Sequence, residues 1–450
     1  MNAPERNASA SAEQRFDTWV DAIRATLAPG ERFVANLAGE STDFARLNRG
    51  KVRQAGSVEQ DDLAIRLVRG ARHAEHTLAM TGNAADDRAA IADAVLGLRS
   101  VLPDLADDPH LMLPDRVESS RTDRGGALPP AEAVVDEVLD AAHGLDLVGF
   151  YASGPVWRGF ASSEGQRNWH AAATFNLEWS LYDRADKAVK SAYAGFGWNA
   201  DAFASRMAAA RERLALVARP SKTLEPGRYR AYLAPSALDE IVGILGYGGF
   251  SARALETRQS PLARMRERER LDARVSIAED TAEGVAPGFQ AEGFSRPPRV
   301  GLVREGELVG ALTSPRTARE FALEANGANA QEMPEAISMT GGDLDASDAL
   351  AALDTGLWIG NLWYANYSDR PACRITGMTR FATFWVEHGR VVAPVDVLRF
   401  DDSVYRLLGS NLESLTKEPE LMLSPDSYRS RRLASAKLPG ALVREIAFTL

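Results

Sequence analysis

Side chains that could bind a metal or act as nucleophiles are few in this sequence. The chain has six histidines, His73, His76, His110, His143, His170 and His388, and one cysteine, Cys373. His73 and His76 form an H-A-E-H step in a segment that reads as a strand. Residues three apart on a strand point to opposite faces, so these two imidazoles cannot share one ion. We therefore expect exposed histidines here that hold no metal.

The glycine-containing motifs of nucleotide-binding proteins and serine hydrolases are missing. The sequence has no G-x-S-x-G elbow, no P-loop and no G-x-G-x-x-G. The glycine-rich run at residues 246–249 (GYGG) follows a predicted helix, which favours a helix cap and turn over a phosphate-binding loop. His388 lies in a Glu-His-Gly step that is typical of a turn.

The overall charge argues against a protein that binds nucleic acid directly. The formal net charge is −10 and the pI is about 5.3. An arginine-rich run at residues 264–274 is interleaved with acidic residues, as is typical of a solvated helix face. The single cysteine fits a reducing compartment, and we find neither an export signal nor a run of about 18 apolar residues. We expect a cytoplasmic protein without a membrane segment.

The elements that must position any site predict an α+β protein of two domains. In the first half, predicted helices at residues 13–27, 86–102, 130–143 and 200–217 accompany antiparallel strands. We predict a turn at residues 59–62, and three strands within residues 145–183 separated at Gly154-Pro155 and Glu164-Gly165. The second half is rich in antiparallel and mixed strands, with few helices, at residues 236–245 and 316–323. Two prolines and a glycine at residues 218–227 place the boundary between domains 1–220 and 221–450.

Four stretches of the second half, in order, resemble the TldD/TldE (PmbA) peptidase family, also called modulator of DNA gyrase. They are residues 225–262, with a strand, a helix and then Ser-Pro-Leu; residues 289–329, with a glycine-rich hairpin and a small helix; residues 356–368 (GLWIGNLWYANYS); and residues 375–400, with Thr-Gly and a later Pro-Val. The first half agrees only in its order of elements.

The resemblance also locates a changed metal motif. In the family, the cutting subunit carries His-Glu-x-x-x-His, often with Gly before the second His, on the helix of the first stretch, where two imidazoles hold zinc and the carboxylate accepts a proton from water. Residues 238–244 read LDEIVGI here. Glu240 and Gly243 match the motif, whereas Asp239 and Ile244 replace its histidines. The resemblance therefore implies a TldE-like chain with no catalytic residue and no metal of its own.

The same resemblance implies a partner and a substrate. A TldE-like chain pairs with a TldD-like chain that carries the HExxxH motif and the zinc, and the heterodimer processes extended or unfolded peptides. No cofactor is expected in this chain, and neither nucleic acid nor membrane is an expected partner.

The strand at residues 356–368 is dense in aromatic rings, and two interpretations of it stay open. Leu357, Ile359 and Leu362 suit a buried strand. A separate set of side chains suits a wall that contacts a peptide or the partner chain, namely Trp358, Asn361, Trp363, Tyr364 and Tyr367.

Two other functions stay open as well. The chain could be a stand-alone homodimeric peptide-binding protein, or a peptidase whose remodelled site uses Asp239, Glu240 and Cys373. A small buried hydrophobic residue is the simpler role for Cys373.

Overall fold

The computed structural model describes residues 3–184 and 187–449, which form eight α-helices and twenty strands. The helices are α1 (Ala3–Thr26), α2 (Ala84–Val101), α3 (Ala131–Ala141), α4 (Ala200–Val217), α5 (Pro235–Gly246), α6 (Ala252–Glu256), α7 (Pro315–Phe321) and α8 (Ala349–Leu353). The strands are β1 (Arg32–Asn48), β2 (Lys51–Arg69), β3 (Arg72–Ala79), β4 (Ser120–Arg124), β5 (Asp146–Ser162), β6 (Arg167–Arg184), β7 (Lys187–Gly195), β8 (Gly227–Leu233), β9 (Ile277–Glu279), β10 (Val300–Arg304), β11 (Glu307–Leu308), β12 (Ala336–Met339), β13 (Gly356–Asp369), β14 (Arg374–Glu387), β15 (Arg390–Pro394), β16 (Arg399–Ser403), β17 (Leu412–Leu415), β18 (Glu420–Leu423), β19 (Ser435–Leu438) and β20 (Ala441–Phe448).

The first sheet has the order β3-β2-β1-β5-β6-β4, with β7 also paired to β6. Its odd-numbered residues on β1, β5 and β6, such as Leu37, Trp157 and Trp169, are buried on one face. Helices α1 and α2 cover these side chains, while α3 and α4 cover the far end of the same face, around Leu147 and Trp179. The two-residue period of a strand thus places all four helices on one side of the sheet.

Part of the opposite face of the first sheet packs against the second half of the chain. The Arg431 guanidinium donates hydrogen bonds to the main-chain oxygens of Gly154 and Thr174, each at 3.0 Å. The buried His170 Nε2 lies 3.0 Å from the main-chain oxygen of Val285. The first sheet is therefore a middle layer over this part of its length.

The second half contains two further sheets. One has the order β11-β10-β9-β12-β19-β18. In the other, the pairings run β13-β8-β20-β16-β14, and β14 pairs back to β13, which closes a ring; β15 and β17 pair to β14 and β20. Helix α5 packs against β13. Within the described residues, no helix is both long enough and apolar enough to cross a membrane.

The α+β prediction is confirmed, and the predicted helices are found with their ends shifted by a few residues, except that α1 already begins at Ala3. The arginine-rich run at residues 264–274 is not a helix; only a short 3₁₀ turn, Ala263–Glu267, forms there. The division at residue 220 stays a prediction: every strand of the first sheet precedes it, and β8 follows it.

The predicted turn at residues 59–62 is wrong. Strand β2 passes through these residues without interruption, paired to β1 from Lys51 to Val68. The chain reverses instead at Gly50 and Gly70, both of which have positive φ angles. The polar residues at 59–62 resembled a turn, but Asp61 is buried within the strand and accepts a hydrogen bond from Trp157 Nε1 at 2.7 Å.

The predicted break at Gly154-Pro155 is also wrong, since both residues lie within β5. They pair with Thr174 and Ala173 of β6. On the β1 side the pairing skips residues 154 and 155, so the missing N–H of Pro155 costs no ladder bond. A Cβ at Gly154 would lie 2.1 Å from the Ser41 oxygen, which explains the glycine.

Candidate functional site

Helix α5 has one apolar face and one polar face. Pro235 occupies its first turn, where a missing N–H is harmless. Leu238, Ile241, Val242 and Leu245 are fully buried against the core of the second half and recur at three and four residues, which explains the helix. The residues between them are left to face outward.

The outward face of α5 lines a cleft of about 650 Å³. The helix supplies Asp239, Glu240, Gly243 and Ile244 to its wall. Strand β13 and the turn after it supply Asn366, Tyr367 and Arg370. All four positions of the changed motif therefore lie in one cleft, together with one of the five predicted aromatic-strand residues.

Burial perturbs both carboxylates of the cleft, and repulsion by Glu240 adds to the effect at Asp239. Burial, with the negative charge of Glu240 as the second cause, raises the pKa of Asp239 from 3.8 to about 6. Burial also raises the pKa of Glu240, and the positive charge of Lys190 partly offsets that rise. The Glu240 side chain is exposed at the wall of the cleft, whereas the Asp239 side chain is half-buried. The cleft thus holds two neighbouring acids whose pKa values are both raised.

The donors in this cleft do not fit a zinc ion. Zinc sites use at least three protein ligands among cysteine, histidine and carboxylate. The α5 wall offers Asp239 and Glu240, and Ile244 has no ligand atom. Among residues 3–184 and 187–449, no group of three or more His, Cys, Asp and Glu side chains is placed to hold a metal ion.

Strand β13 is tied to both ends of α5. The Ser236 hydroxyl donates to the Gly360 oxygen at 2.8 Å, and the Asn361 amide lies 3.4 Å from that hydroxyl. At the other end, the Tyr367 hydroxyl donates to the Ile244 oxygen at 2.9 Å, and burial raises the pKa of this phenol. Asn361 and Tyr367 therefore fix the wall of the cleft.

The remaining aromatic residues of β13 divide into two environments. Trp358 is half-buried and stacks on Tyr232, with ring centres 4.4 Å apart. Trp363 and Tyr364 are 48% and 74% exposed, and Arg380 lies over the Trp363 ring at 4.8 Å. We call Trp363, Tyr364 and Arg380 the aromatic patch. The end of β13 near Trp358 thus packs in the core, and the part at Trp363 and Tyr364 is exposed. The buried-strand interpretation describes the first part, and the contact-wall interpretation describes the second.

Cys373 does not line the cleft. Its side chain is fully buried, and burial raises the pKa of the thiol to about 12. Such a thiol holds almost no thiolate at neutral pH, which is the reactive form. A remodelled site that uses Cys373 therefore gains no support.

The two histidines of the H-A-E-H step are placed on strand β3. His73 lies 3.2 Å from Asp108, and His76 is exposed. Successive strand residues alternate between faces, so the two rings diverge, as predicted. His388 lies in the turn between β14 and β15 with a φ of 50°, which agrees with a turn role.

Three contributors to the site were not found from the sequence. Arg370 donates to the Tyr247 oxygen at 2.6 Å and closes one end of the cleft. Tyr247 itself caps α5 and lines the cleft. Lys190 acts from the first sheet, about 50 residues earlier in the chain than the acid it influences. No local pattern marks such residues, because tertiary packing alone brings them together.

Comparison with known proteins now identifies the fold. The chain resembles three solved structures: a putative modulator of a DNA gyrase from Thermotoga maritima (TM-score 0.74, 14% identity, covering 96% of this chain and 100% of that one); TldE from Thermococcus kodakarensis (0.75, 13%, 97% and 100%); and a putative modulator of DNA gyrase from Bacteroides thetaiotaomicron (0.72, 13%, 100% and 99%). No curated protein matches. At these identities the likeness shows a shared fold.

The family assignment comes from the sequence of the second half. Residues 226–450 match the family described as PmbA/TldA metallopeptidase C-terminal domain. This span contains α5, the cleft and the aromatic patch, and it covers all four stretches on which the resemblance was based, apart from one residue. The chain therefore belongs to the TldD/PmbA family.

Proposed function

We propose that this chain is a TldE-like, non-catalytic subunit of a heterodimeric zinc peptidase, paired with a TldD-like chain that carries HExxxH. One observation carries the proposal. The cleft wall on α5 keeps Glu240 and Gly243 of the metal motif but has Asp239 and Ile244 in place of its two histidines. A cleft is present where the family would cut peptides, but the metal ligands are not.

The chemistry of peptide hydrolysis supports a partner. Zinc in such a site would lower the pKa of a bound water and polarise the peptide carbonyl. A carboxylate can accept a proton, but Glu240 alone has no activated water to act on. The proposed zinc therefore belongs to the partner chain, and no cofactor belongs to this one.

The shape of the site supports a peptide as the substrate. A cleft of about 650 Å³ with both polar and apolar walls suits a few residues of an extended chain. The aromatic patch borders it along β13 and leaves two large rings in water. Exposed rings of this kind are enriched where proteins contact partners. We propose that the patch contacts the partner chain or the peptide.

We further propose a cytoplasmic location, on the basis of the single cysteine, Cys373. Direct binding of nucleic acid is not part of the proposal, because the net charge is −10.

Co-expression with a HExxxH-bearing family member of similar length tests the proposal. We expect the two chains to elute together from a size-exclusion column and the complex to cleave an unfolded peptide. The double variant Trp363→Ser with Tyr364→Ser should weaken the complex or its activity at least tenfold. Exposed Tyr428 provides the control, as Tyr428→Ser should change neither.

Each alternative has its own outcome in this experiment. Separate elution, with unchanged activity of the HExxxH chain, would refute the heterodimer. A homodimer that binds peptide without a partner would support the stand-alone function. Stoichiometric zinc in the purified chain, lost in Glu240→Ala, would support a remodelled peptidase site.

A further inference from the structure

A second cavity, of about 560 Å³, lies on the first sheet away from the motif of α5. Its wall includes three cations, Arg46 on β1, Arg53 on β2 and Lys190 on β7. We call it the cation pocket. In a chain of net charge −10, such a local excess of positive charge requires an explanation.

The register of the first sheet places the pocket on the face of that sheet that the four helices do not cover. Arg46 pairs with Phe150, and Phe150 pairs with Glu178. One row further along, Ser180 pairs with Lys190. Directly paired residues share a face, so these side chains lie together on the even-numbered face.

The same face is covered by the second half elsewhere and is open at the pocket. Towards its other end, Arg431 contacts this face, and His170 of this face contacts the Val285 oxygen, as described above. Around the pocket, Arg46 and Arg53 are exposed, and Ser427, from the segment that precedes Arg431, lies at the margin. The pocket is thus the open end of the interface between the two halves.

The positive charge of the pocket is only partly neutralised. Lys190 forms an ion pair with Glu178 at 3.4 Å. Within the described part of the chain, neither Arg46 nor Arg53 forms an ion pair, and the pocket wall contains no second carboxylate. Two guanidinium groups therefore remain available to an external anion, with Asn48 and Gln54 as polar neighbours.

The adjoining cleft contains two carboxylates, Asp239 and Glu240, and one cation, Arg370, and this excess of negative groups limits the kind of anion. Lys190 belongs to the cation pocket, yet its charge also acts on Glu240 in the cleft of α5. Strand β7, which carries Lys190, packs against β18, β18 pairs with β19, and β19 packs against α5. The two cavities therefore lie near each other, linked by adjacent elements. A polyanion such as a nucleic acid would be attracted at one cavity and repelled by Asp239 and Glu240 at the other. A peptide with a carboxylate at one end and an ammonium or neutral group at the other fits both.

We propose that the cation pocket binds a carboxylate of the peptide whose adjacent residues enter the cleft of α5. Arg46 and Arg53 hold the carboxylate, and Lys190 is the third cation of the pocket. The inference rests on the proposed peptide function and adds a polarity and a substrate preference to it. The carboxylate is either the C-terminal group or an acidic side chain near it.

Isothermal titration calorimetry on the full chain tests the pocket with four peptides. AVSAEE and AVSAQQ are each used with a free C-terminus and as C-terminal amides. We expect the peptides with carboxylates to bind at least tenfold more tightly than AVSAQQ amide. Tight binding of AVSAQQ acid would identify the C-terminal group, and tight binding of AVSAEE amide would identify acidic side chains.

Two double variants establish where the carboxylate binds. Arg46→Gln with Arg53→Gln should remove the preference, while Arg88→Gln with Arg116→Gln, an exposed pair outside the pocket, should keep it. All these arginines are exposed, so the variants should fold, as equal melting curves would show.

Several results would overturn the inference. They are equal affinity for all four peptides, a preference that survives Arg46→Gln with Arg53→Gln, and tighter binding of a single-stranded oligonucleotide than of AVSAEE. Equal affinity would leave the proposed peptide function standing. Absence of all peptide binding would also remove the inference, and it would count against the proposed function only if the HExxxH chain fails to co-elute.

Discussion

Asp239 lies in the cleft of α5, at the position where we propose that the first metal ligand has been lost. Its half-buried carboxylate is next to the exposed Glu240 in the sequence, and both line the cleft. Because its folded pKa, about 6, exceeds the ordinary value of 3.8, the folded state binds a proton more tightly than the unfolded state does. Ionised Asp239 thus destabilises the fold, and the cost appears as the pH rises from about 4 to above 6.

We therefore expect Asp239→Asn to stabilise the protein at pH 8. One pKa unit corresponds to about 1.4 kcal/mol, and partial exposure reduces the total, so we expect a gain of about 1–2 kcal/mol. The gain should be much smaller at pH 4, where Asp239 is protonated in the folded state and about 40% protonated in the unfolded state. Urea unfolding at both pH values measures it. Exposed Asp115→Asn is the control, and a gain that is equal at both pH values would contradict the explanation.

The single thiol makes a second prediction at the residue scale. Because Cys373 is buried and its pKa is raised to about 12, it should not react with Ellman's reagent in the native protein at pH 8. One equivalent should react after unfolding in guanidinium chloride. Tyr428→Cys, at a position that is 74% exposed, should add one fast-reacting thiol. Fast reaction of the native wild-type chain would show that the thiol is accessible.

At the scale of elements, irregularities in the β13–β14 pair shape the aromatic patch. The register shifts between Trp363 and Asn366, and Tyr364 has a φ of 57°. A second positive φ, 58°, occurs at Phe381 on β14, opposite the shift between Ile359 and Asn361. Bulges turn side chains away from the regular alternation, and here they direct an aromatic ring into solvent.

The backbone at Tyr364 should reverse the usual ranking of alanine and glycine. In regular strands glycine is less stable than alanine by roughly 0.5–1 kcal/mol. At Tyr364 we expect Tyr364→Gly to exceed Tyr364→Ala in unfolding free energy by about 1 kcal/mol, since only glycine adopts positive φ freely. Ala365→Gly, at a residue without positive φ, should instead destabilise. The same ranking at both positions would argue against strain at the bulge.

The sequence predicted an element correctly where the burial of one face set the spacing of its apolar residues. Helices α4 and α5 were located within one residue because their buried positions recur at helical spacing. Strands β2 and β5 were misjudged at residues 59–62 and at Gly154-Pro155, because pairing with neighbouring strands overrides local turn propensity. For the candidate site too, residues within a local pattern could be predicted, and residues brought together by tertiary packing could not. The α5 motif and Tyr367 were accessible from sequence, whereas Arg370 and Lys190 were not.

At the scale of the whole molecule, Arg431 joins the two halves. Its guanidinium donates to the oxygens of Gly154 and Thr174 and to the Thr174 hydroxyl, and burial lowers its pKa to about 10. Arg431→Met keeps much of the volume but leaves these acceptors unpaired. We expect a loss of about 3 kcal/mol in unfolding free energy, measured by urea denaturation. Arg429→Ala, at an exposed neighbour, should cost less than about 0.5 kcal/mol, and an equal loss in both variants would contradict this role.

The two-sided burial of the first sheet limits how this chain can be divided. Its helices supply one layer, and the second half supplies part of the other, around Val156, Phe160 and Ala172. A fragment that ends at residue 220 would expose these apolar side chains to water and would be prone to aggregate. We therefore expect the predicted boundary at residue 220 to separate the sheets of the two halves, but not to separate two units that can fold alone. We expect that the two halves cannot be exchanged between relatives as independent modules, and that they have to change sequence together along the face they share.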